Sequence, residues 1–395
     1  MRWKRKLLGE VFEIARGGSP RPIDNYITTS SAGYNWIMIG DAREGSKYIT
    51  DIKKKISPEG LSKTRQVKPG DFLLTNSMSF GRPYILKISG CIHDGWLVLS
   101  PRSDDVLSDY FYYLLGSEML KRQFSRGASG AVVKNLNTKM VKDVVVSVPP
   151  LAEQKRIAGI LDAADALRAK RREAIAQLDT LLQSTFLDIF GDPVTNPMGW
   201  TVTSLGNHTR KVGSGATPKG GNEFYKDHGI ALIRSLNVRD GEFQWKGLAR
   251  IDDHQAMKLS NVVVEEEDVL LNITGASIAR VCRVSRTVLP ARVNQHVCII
   301  RTTEDIEPKF LEKLLLVGSM KHKLIGIGES GATRQAITKS HILTLQIPLP
   351  PLELQRRFAA IVESVERQKA RMRAHLAELD ALFASLQSRA FNGEL

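Results

Sequence analysis

The feature that most constrains the fold is a duplication that runs along nearly the whole chain of 395 residues. Trp3 in the first half is matched by Trp200 in the second, an offset of 197. From Ser129, matched by Ser330, the offset becomes 201 and keeps that value through both C-terminal helical segments. Each copy of about 195 residues is far longer than the unit of a solenoid repeat. The sequence therefore predicts a duplicated domain.

Each copy begins with short β-rich runs between Gly, Pro, Asn and Asp turns, such as FLLTN in the first copy and VLLNI in the second. One amphipathic helical stretch accompanies the first set of strands, and its apolar face carries Phe111, Leu114, Leu115 and Met119. Each globule ends at a double proline, Pro149–Pro150 or Pro350–Pro351. Proline suits the first turn of a helix and blocks a helix upstream of it. The prolines therefore predict where each globule gives way to a helix.

Beyond each proline pair lies a long proline-free segment rich in Ala, Leu, Glu, Lys and Arg. Its apolar residues follow the 4–3 alternation of a coiled-coil seam. The predicted seam positions are Ile160, Ala164, Leu167, Arg171, Ala174, Leu178, Leu181 and Thr185, and then Ile361, Val365, Gln368, Met372, His375, Leu379, Leu382 and Leu386. Because both seams share a register, and a duplicated unit pairs with itself by approximate two-fold symmetry, we expect one antiparallel coiled coil. The alternative is that each helix packs on its own globule.

The predicted fold class is therefore α/β (α+β), with two similar globules separated by two long helices. These helices form an antiparallel coiled coil with pseudo-two-fold symmetry. The predicted boundaries are residues 1–148 for the first globule, 149–191 for the central helix, 192–348 for the second globule and 349–395 for the C-terminal helix. A helix over residues 152–189 spans about 55 Å. The coiled coil is thus predicted to be a strut that holds the globules a fixed distance apart.

The charge of the chain favours a nucleic-acid partner. The formal net charge is +14, and the excess lies in the globules: residues 1–150 hold 23 basic against 14 acidic residues, and residues 191–350 hold 20 against 16. A basic surface favours a polyanion, although a generic basic protein has the same composition. Three cysteines without a CxxC pair indicate a reducing compartment. With no apolar run of about 18 residues and no recognisable secretory signal, we expect a cytoplasmic protein without membrane contact.

Two similar globules at a fixed spacing suit two half-sites on duplex DNA, whose major groove repeats about every 34–36 Å. Base edges are read by Arg, Lys, Asn and Gln side chains. The corresponding loops of both copies offer such side chains, although each could instead be an ordinary solvated group. The candidate DNA-binding residues are Arg21, Arg43, Arg82, Lys134 and Asn135 in the first copy, and Lys219, Asn222, Arg234, Asn237, Arg239, Arg334 and Gln335 in the second.

The sequence shows no motif for catalysis or for binding of a cofactor or metal. A GxxxxGK[ST] phosphate loop is missing. The NPMG element at Asn196 lacks the second proline and the aromatic of the amino-methyltransferase motif, so it is interpreted as a turn after the helix. The acidic run 265–268 is interpreted as surface charge, because no lysine follows on the next strand. The pairs Cys91–His93 and His296–Cys298 fall at non-equivalent positions of the two copies, which disfavours a zinc site.

The order of these parts resembles the specificity subunit of type I restriction–modification systems, over essentially the entire chain. The most specific signal is PPLAEQKRI at 149–157, which recurs as PPLELQRRF at 350–358. The second copy departs from the family pattern, with leucine where Glu153 stands and Phe358 in place of isoleucine. Gln154 and Gln355, which lie inside this element, are interpreted as capping groups of the first helical turn.

The resemblance implies that the globules are target recognition domains, each reading one half of a bipartite, asymmetric DNA site. It also implies that the coiled coil sets the spacer between the halves and docks two methyltransferase (modification) subunits. This chain would then be non-catalytic. S-adenosylmethionine would be used by those partners to methylate adenine, and restriction subunits would use ATP and Mg²⁺. Two alternatives stay open: a DNA-associated coiled-coil scaffold without sequence readout, and an enzyme whose site has no recognisable motif.

Overall fold

The computed structural model describes residues 3–43, 45–76, 81–127, 136–217, 225–329 and 335–395. The chain divides into two compact units. Unit 1 comprises Met1–Arg172 and Ala374–Leu395, and unit 2 comprises Glu173–Arg373. Each unit therefore holds one globule and part of both long helices, whereas the boundaries predicted from sequence lie at the helix ends.

The globule of unit 1 is built mainly from antiparallel strands. They are β1 Lys4–Leu7, β2 Phe12–Arg16, β3 Ile27–Thr28, β4 Tyr34–Ile37, β5 Tyr48–Ile49, β6 Lys55–Ile56, β7 Arg65–Val67, β8 Phe72–Thr75, β9 Pro83–Leu86, β10 Gly90–Ile92, β11 Trp96–Pro101 and β12 Val145–Val148. One sheet has the order β2-β11-β8-β9-β5, with a parallel β5–β9 pair. The other has the order β3-β6-β4-β10-β7, with a parallel β4–β10 pair. A ribbon of β1 and β12 brings the two ends of the globule together.

Short helices cover the first of these sheets: α1 Leu8–Val11, α2 Ser108–Leu115, α3 Glu118–Gly127 and α4 Thr138–Lys142. The stretch predicted as one amphipathic helix is two helices, α2 and α3. Ser117 separates them, because its hydroxyl donates to the Leu114 carbonyl (2.6 Å) and accepts from the Leu120 amide (3.3 Å). Phe111 of α2 packs edge-to-face on Phe12 of the sheet, with 5.1 Å between ring centroids.

Unit 2 repeats this plan. Its strands are β13 Val202–Ser204, β14 Thr209–Ser214, β15 Ile230–Ile233, β16 Val238–Arg239, β17 Glu242–Phe243, β18 Ala249–Ile251, β19 Val269–Asn272, β20 Val281–Arg283, β21 Ala291–Val293, β22 Val297–Thr302 and β23 Gln346–Pro348. The short helices are α6 Asp253–Met257, α7 Pro308–Leu316, α8 Gly318–Glu329 and α9 Lys339–Leu343. The order β14-β22-β19-β20 matches β2-β11-β8-β9, and the β13–β23 ribbon matches β1–β12. The predicted duplication is therefore confirmed in three dimensions.

The two long helices are α5, Leu151–Phe190, and α10, Leu352–Asn392. Both begin directly after the proline pairs, as predicted. Helix α5 ends before Gly191, which adopts φ +73° and donates its amide to the Leu187 carbonyl at 2.9 Å. Among the described residues, none of the helices is both long and apolar enough to cross a membrane.

The two long helices pack side by side and antiparallel within each unit. In unit 1, Arg168 of α5 donates through Nε to Asp380 of α10 at 2.6 Å. In unit 2, Lys369 of α10 donates to Asp179 of α5, also at 2.6 Å. The later residue of α5 meets the earlier residue of α10, which defines antiparallel pairing. The offset of 201 relates Arg168 to Lys369 and Asp179 to Asp380, so the two ion pairs follow the duplication.

The helices also pack on their globules. In unit 1, Ile157 and Phe391 belong to the same buried cluster as the sheet. In unit 2, Phe190 and Phe358 join the core beside Phe310 of α7. The two alternatives posed by the sequence therefore both occur, with helix pairing and helix-to-globule packing in each unit.

The predicted register of the seam is correct at every second position, whereas six of the predicted positions between them are exposed. Along α5, one stripe of buried or half-buried residues at a spacing of three and four consists of Ile157, Leu161, Ala164, Arg168, Arg171, Ile175, Leu178, Leu182, Thr185 and Ile189. The predicted Ile160 and Ala174, beside this stripe, are half-buried as well. The equivalent stripe along α10 consists of Phe358, Val362, Val365, Lys369, Met372, Leu376, Leu379, Phe383, Leu386 and Ala390. Leu167 and Leu181 were predicted to lie in the seam because they are apolar, but about half of each side chain is exposed. Gln368 and His375, predicted as polar breaks in the seam, are exposed as well.

Gln154 and Gln355 fasten the starts of the long helices to the globules, so the interpretation as first-turn capping groups is wrong. The Gln154 carbonyl oxygen accepts from the Leu107 amide at 2.9 Å, and its Nε2 donates to the Asp105 carbonyl at 2.8 Å. Gln355 makes the equivalent bonds to the Glu307 amide and the Asp305 carbonyl. Both side chains are fully buried and bonded on both ends, as a buried amide requires.

The acidic run 265–268 is only partly a surface feature. Asp268 is buried, and its carboxylate accepts two bonds from Arg301, from Nε at 2.8 Å and from Nη2 at 2.9 Å. This fork-to-fork geometry is the strong form of a charge-assisted hydrogen bond. The run therefore fixes strand β22 beside the turn before β19.

Candidate nucleic-acid interface

The loop that follows β2 in unit 1 lies close against the turn between β10 and β11. The Gly17 amide donates to the Trp96 carbonyl at 3.0 Å, and the Gly18 amide donates to the Ile92 carbonyl at 3.2 Å. A Cβ atom on Gly17 would lie 2.0 Å from the carbonyl oxygen of His93. Only glycine permits this approach. The paired glycines of the sequence thus place the loop at the strand ends.

Ser19, Asp94 and Arg21 form a hydrogen-bonded group at this position. The Ser19 hydroxyl donates to Asp94 Oδ1 at 2.9 Å and lowers the pKa of that carboxyl, so Asp94 is ionised at neutral pH. Arg21 Nη2 lies 3.4 Å from Asp94 Oδ2, and 81% of the Arg21 side chain is exposed. An exposed ion pair of this length contributes about 0–1 kcal/mol. The guanidinium is therefore oriented by Asp94 and free to exchange it for a ligand.

Two further segments meet this group. Asn76, directly after β8, donates through Nδ2 to the Asp94 carbonyl at 2.7 Å. The Leu136 amide donates to the Asn76 carbonyl at 2.9 Å. We call the described residues 17–26, 76, 93–95 and 136 loop cluster 1. The segments 77–80 and 128–135 adjoin Asn76 and Leu136 in sequence, and they lie outside the described residues, as do the candidates Lys134 and Asn135.

Unit 2 has an equivalent arrangement, which we call loop cluster 2, formed by residues 215–217, 273, 294–296 and 337. The Gly215 amide donates to the Asn294 carbonyl at 3.1 Å, and its Cβ position is blocked by the Val293 carbonyl. Thr217 donates to Gln295, which occupies the position of Asp94. The Ile337 amide donates to the Ile273 carbonyl at 2.8 Å. The backbone frames of the two clusters are therefore similar, although the glycine amide has a different acceptor in each, and the side chains on them differ.

The structure places the other candidate residues as follows. Arg43 is exposed on the loop after β4, Arg239 is exposed at the end of strand β16, and Gln335 is exposed with its amide 3.3 Å from Glu329. Arg82 is half-buried, and its backbone pairs with Thr75 at the edge of β8. The candidates that lie outside the described residues are Lys134, Asn135, Lys219, Asn222 and Arg334.

Arg234 is half-buried, and its guanidinium has two contacts. Its Nη2 donates to the Gly247 carbonyl at 2.6 Å, and its guanidinium lies 4.9 Å from the centre of the Tyr225 ring. Its buried Nε has no hydrogen-bond partner among the described atoms. These contacts fix the direction of a cation beside loop cluster 2.

The structure does not support Asn237 as one of the candidate DNA-binding residues. Its side chain is fully buried. Its Oδ1 accepts from the Arg234 amide at 3.0 Å, and its Nδ2 donates to the Gln244 carbonyl at 2.8 Å. Because both ends of the amide are used to close the turn after β15, Asn237 supports the loop and does not present a group to a base.

Sequence reasoning missed Asp94 and Lys63. Asp94 stands in the turn IHDGW, which aligns with VNQHV of the second copy, but a single aspartate in a turn gives no functional signal. Lys63 donates to the Tyr26 hydroxyl at 2.7 Å and lies 5.0 Å from the centre of that ring. It adds an exposed cation next to loop cluster 1, since its carbonyl lies against Gly18.

The described residues contain neither a metal-binding group nor a reactive thiol. In the part of the chain that the structure describes, no group of three or more His, Cys, Asp or Glu side chains has the spacing to hold a metal ion. The three cysteines are buried and unpaired. Burial raises the pKa of the Cys298 thiol to about 12, which keeps it protonated at neutral pH.

The fold and the two clusters define a class of protein: a tandem of two α/β units, each presenting cation-bearing loops at its strand ends, with two long helices common to both. A family model described as the type I restriction modification DNA specificity domain matches residues 1–177 and again residues 198–381. The chain belongs to this family. It is a type I restriction–modification specificity protein with two repeated recognition domains.

Individual relatives agree with this assignment. The EcoBI specificity subunit of Escherichia coli is 26% identical over 321 residues, which cover 72% of this chain and 65% of that protein. The MjaIX specificity subunit of Methanocaldococcus jannaschii is 23% identical over 391 residues, covering 91% of this chain and 86% of that protein. The chain thus spans just under two thirds of the first of these relatives and most of the second.

Solved structures share the fold. A chain from a study titled "Structural basis underlying complex assembly and conformational transition of the type I R-M system" superposes with a TM-score of 0.60 at 19% identity, covering 100% of this chain and 98% of that one. The type I restriction–modification S subunit from M. genitalium gives a TM-score of 0.54 at 13% identity, covering 99% and 96%.

Proposed function

We propose that the two recognition domains read the two halves of one bipartite, asymmetric DNA site. The observation that carries this proposal is that loop clusters 1 and 2 have a similar backbone but carry different side chains. Asp94 in loop cluster 1 is replaced by Gln295 in loop cluster 2. A carboxylate accepts hydrogen bonds only, whereas an amide both donates and accepts, so the two clusters select different base edges.

We also propose which residues contact DNA. Arg21 lies in the loop after β2 and Arg43 in the loop after β4, while Arg234 directly follows β15 and Arg239 ends β16. Arg82, Gln335 and the five candidates outside the described residues complete the proposed set. Arginine side chains of this kind pair with guanine or with phosphates. The excess positive charge of both globules supports a polyanion partner.

The partners proposed for the long helices are two copies of a modification subunit. Leu181 of α5 and Leu382 of α10 occupy equivalent positions, and they are 51% and 50% exposed. Equal exposure of equivalent apolar side chains suits two identical partners bound by pseudo-two-fold symmetry. In this proposal the chain itself is non-catalytic. The modification subunits use S-adenosylmethionine to methylate adenine, and restriction subunits that use ATP and Mg²⁺ join the same assembly.

A domain exchange tests the reading of half-sites. Residues 193–348 are replaced by the equivalent segment of another specificity subunit, and methylated sites are mapped with modification subunits present. We expect one half of the site to change while the other half and the spacer are kept. A change in both halves would contradict modular reading.

The scaffold alternative makes a different prediction for the unaltered chain. It requires binding to DNA that is salt-sensitive and indifferent to sequence. Competition between a duplex that carries the mapped site and a scrambled duplex of the same length separates the two functions, because only a specificity subunit prefers the mapped site.

A further inference from the structure

An apolar recess lies beside loop cluster 1, with a volume of about 710 Å³. The residues of its floor and walls that matter here are Pro20, Pro22, Ile23, Trp36, Met38 and His93. Trp36 is almost fully buried, so its indole belongs to the core and forms a fixed wall. Met38 directly follows β4, and about a third of its side chain is exposed. The recess is thus a solvent-facing apolar surface among loops that are otherwise polar.

The recess is not built for an anion. His93 Nδ1 accepts from the Gly95 amide at 2.9 Å, and burial lowers the pKa of the His93 imidazole, which is therefore neutral at pH 7. The cations stand at the edge. Arg21 and the exposed Asp24 line the rim, and Arg16, the last residue of β2, donates through Nε to the Asp94 carbonyl at 3.0 Å. Cations at the rim suit DNA phosphates, and an uncharged floor suits an apolar group.

The second unit shows that the apolar character of this position is not required by the fold. The Met38 amide donates to Asp41 Oδ2 at 2.8 Å, and the Arg234 amide donates to Asn237 Oδ1 at 3.0 Å in the same turn. Met38 and Arg234 therefore occupy equivalent positions on equivalent backbone. One domain presents a thioether there and the other a guanidinium. A position that varies in this way on a constant frame is placed to determine specificity.

We propose that this recess binds the 5-methyl group of a thymine in the DNA half-site read by unit 1, with Met38 as a specificity-determining residue. The inference rests on the proposed function and names one base that this function reads. The thymine methyl is the apolar group that unmodified DNA presents in the major groove, and proteins read it through contact with apolar side chains. Met38 and Ile23 supply that contact, while Arg21 holds the backbone or a neighbouring base at the rim.

Replacement of thymine by uracil removes this methyl group and leaves the base pair intact. The full chain, with its modification subunits, is titrated with duplexes carrying the mapped site, in which each thymine of the half-site assigned to unit 1 is replaced singly by uracil. Burial of one methyl group predicts that uracil at one position weakens binding about fourfold. We expect M38A to reduce the ratio of thymine to uracil affinity at that position to about one, and M38L to retain it.

M257A is the matched control, because Met257 is an exposed methionine of unit 2, and it should leave the ratio unchanged. If M38A does not fold, the uracil series on the unaltered chain still decides the matter. Specific binding that is insensitive to every uracil, or a half-site without thymine, overturns the inference and leaves the proposed function standing. An undiminished ratio in M38A also overturns it. Loss of all sequence preference in the unaltered chain would overturn both.

Discussion

At the scale of single residues, the most informative feature is a cation in the seam of each helix pair, buried at Lys369 and half-buried at Arg168. Lys369 is about 5% exposed and is bonded to Asp179 at 2.6 Å and Glu366 at 3.2 Å. Arg168 makes the equivalent bonds, to Asp380 and Asp165. A charge at this depth is tolerated because both carboxylates satisfy it.

The asymmetry of this ion pair gives a prediction for stability. Asp179 is more than half exposed, so its loss leaves a buried ammonium with one carboxylate, whereas loss of Lys369 leaves an acid that water can solvate. We expect D179A to lower the free energy of unfolding by about 1–2 kcal/mol and K369M to be close to neutral. Urea denaturation of the full chain measures both, with D188A as a control for an exposed acid on the same helix. Equal losses in D179A and D188A would show that the pair contributes nothing.

At the scale of elements, the seam between the long helices shows how far periodicity determines packing. The predicted spacing of the seam residues was correct, but some predicted positions are exposed. Leu167 and Leu181, for example, are apolar but lie one residue away from the buried stripe. An α-helix with apolar residues on two adjacent stripes offers two seams, and the partner surface selects one.

The two stripes predict different costs of truncation. Leu161 is fully buried and Leu167 is 55% exposed on the same helix. We expect L161A to lower the free energy of unfolding by about 2–5 kcal/mol, as for other buried leucines. L167A should change it by no more than about 0.5 kcal/mol. Thermal or urea unfolding of the two variants compares them directly, and a larger loss for L167A would mean that the helices pair through the predicted seam instead.

At the scale of the whole molecule, the chain is two versions of one unit. The strand orders of the two units match, and equivalent glutamines, Gln154 and Gln355, bind the starts of the long helices. The ion pairs between the helices are related by the duplication as well. The two units differ mainly in the side chains that equivalent backbone positions carry, as at Met38 and Arg234. Such a molecule keeps one geometry while each unit acquires its own selectivity.

If the long helices set the spacing between half-sites, their length should be measurable in DNA. Insertion of seven residues after Arg172 and seven after Arg373 keeps the heptad phase and lengthens each helix by about 10 Å. This corresponds to about three base pairs at 3.4 Å each. We expect the spacer of the methylated site to lengthen or specific methylation to be lost. Mapping the methylated sites measures this, and an unchanged spacer would reject the role of the helices as a ruler.

The sequence by itself determined the features that depend on neighbouring residues along the chain. The proline pairs fixed where α5 and α10 begin, Gly191 fixed where α5 ends, and the internal repeat fixed the duplication. The glycine pair Gly17–Gly18 after β2 predicted a loop, because the conformational freedom of a residue without a Cβ atom is a local property.

Only the tertiary structure decided which polar and apolar groups are buried. Asn237 looked like a base-reading side chain and is instead enclosed by its own turn, while Asp94, an unremarked turn residue, orients Arg21. Leu167 and Arg168 are adjacent, yet the arginine lies in the seam because Asp380, 212 residues away, accepts its hydrogen bond. Burial depends on partners distant in sequence, and no local pattern specifies them.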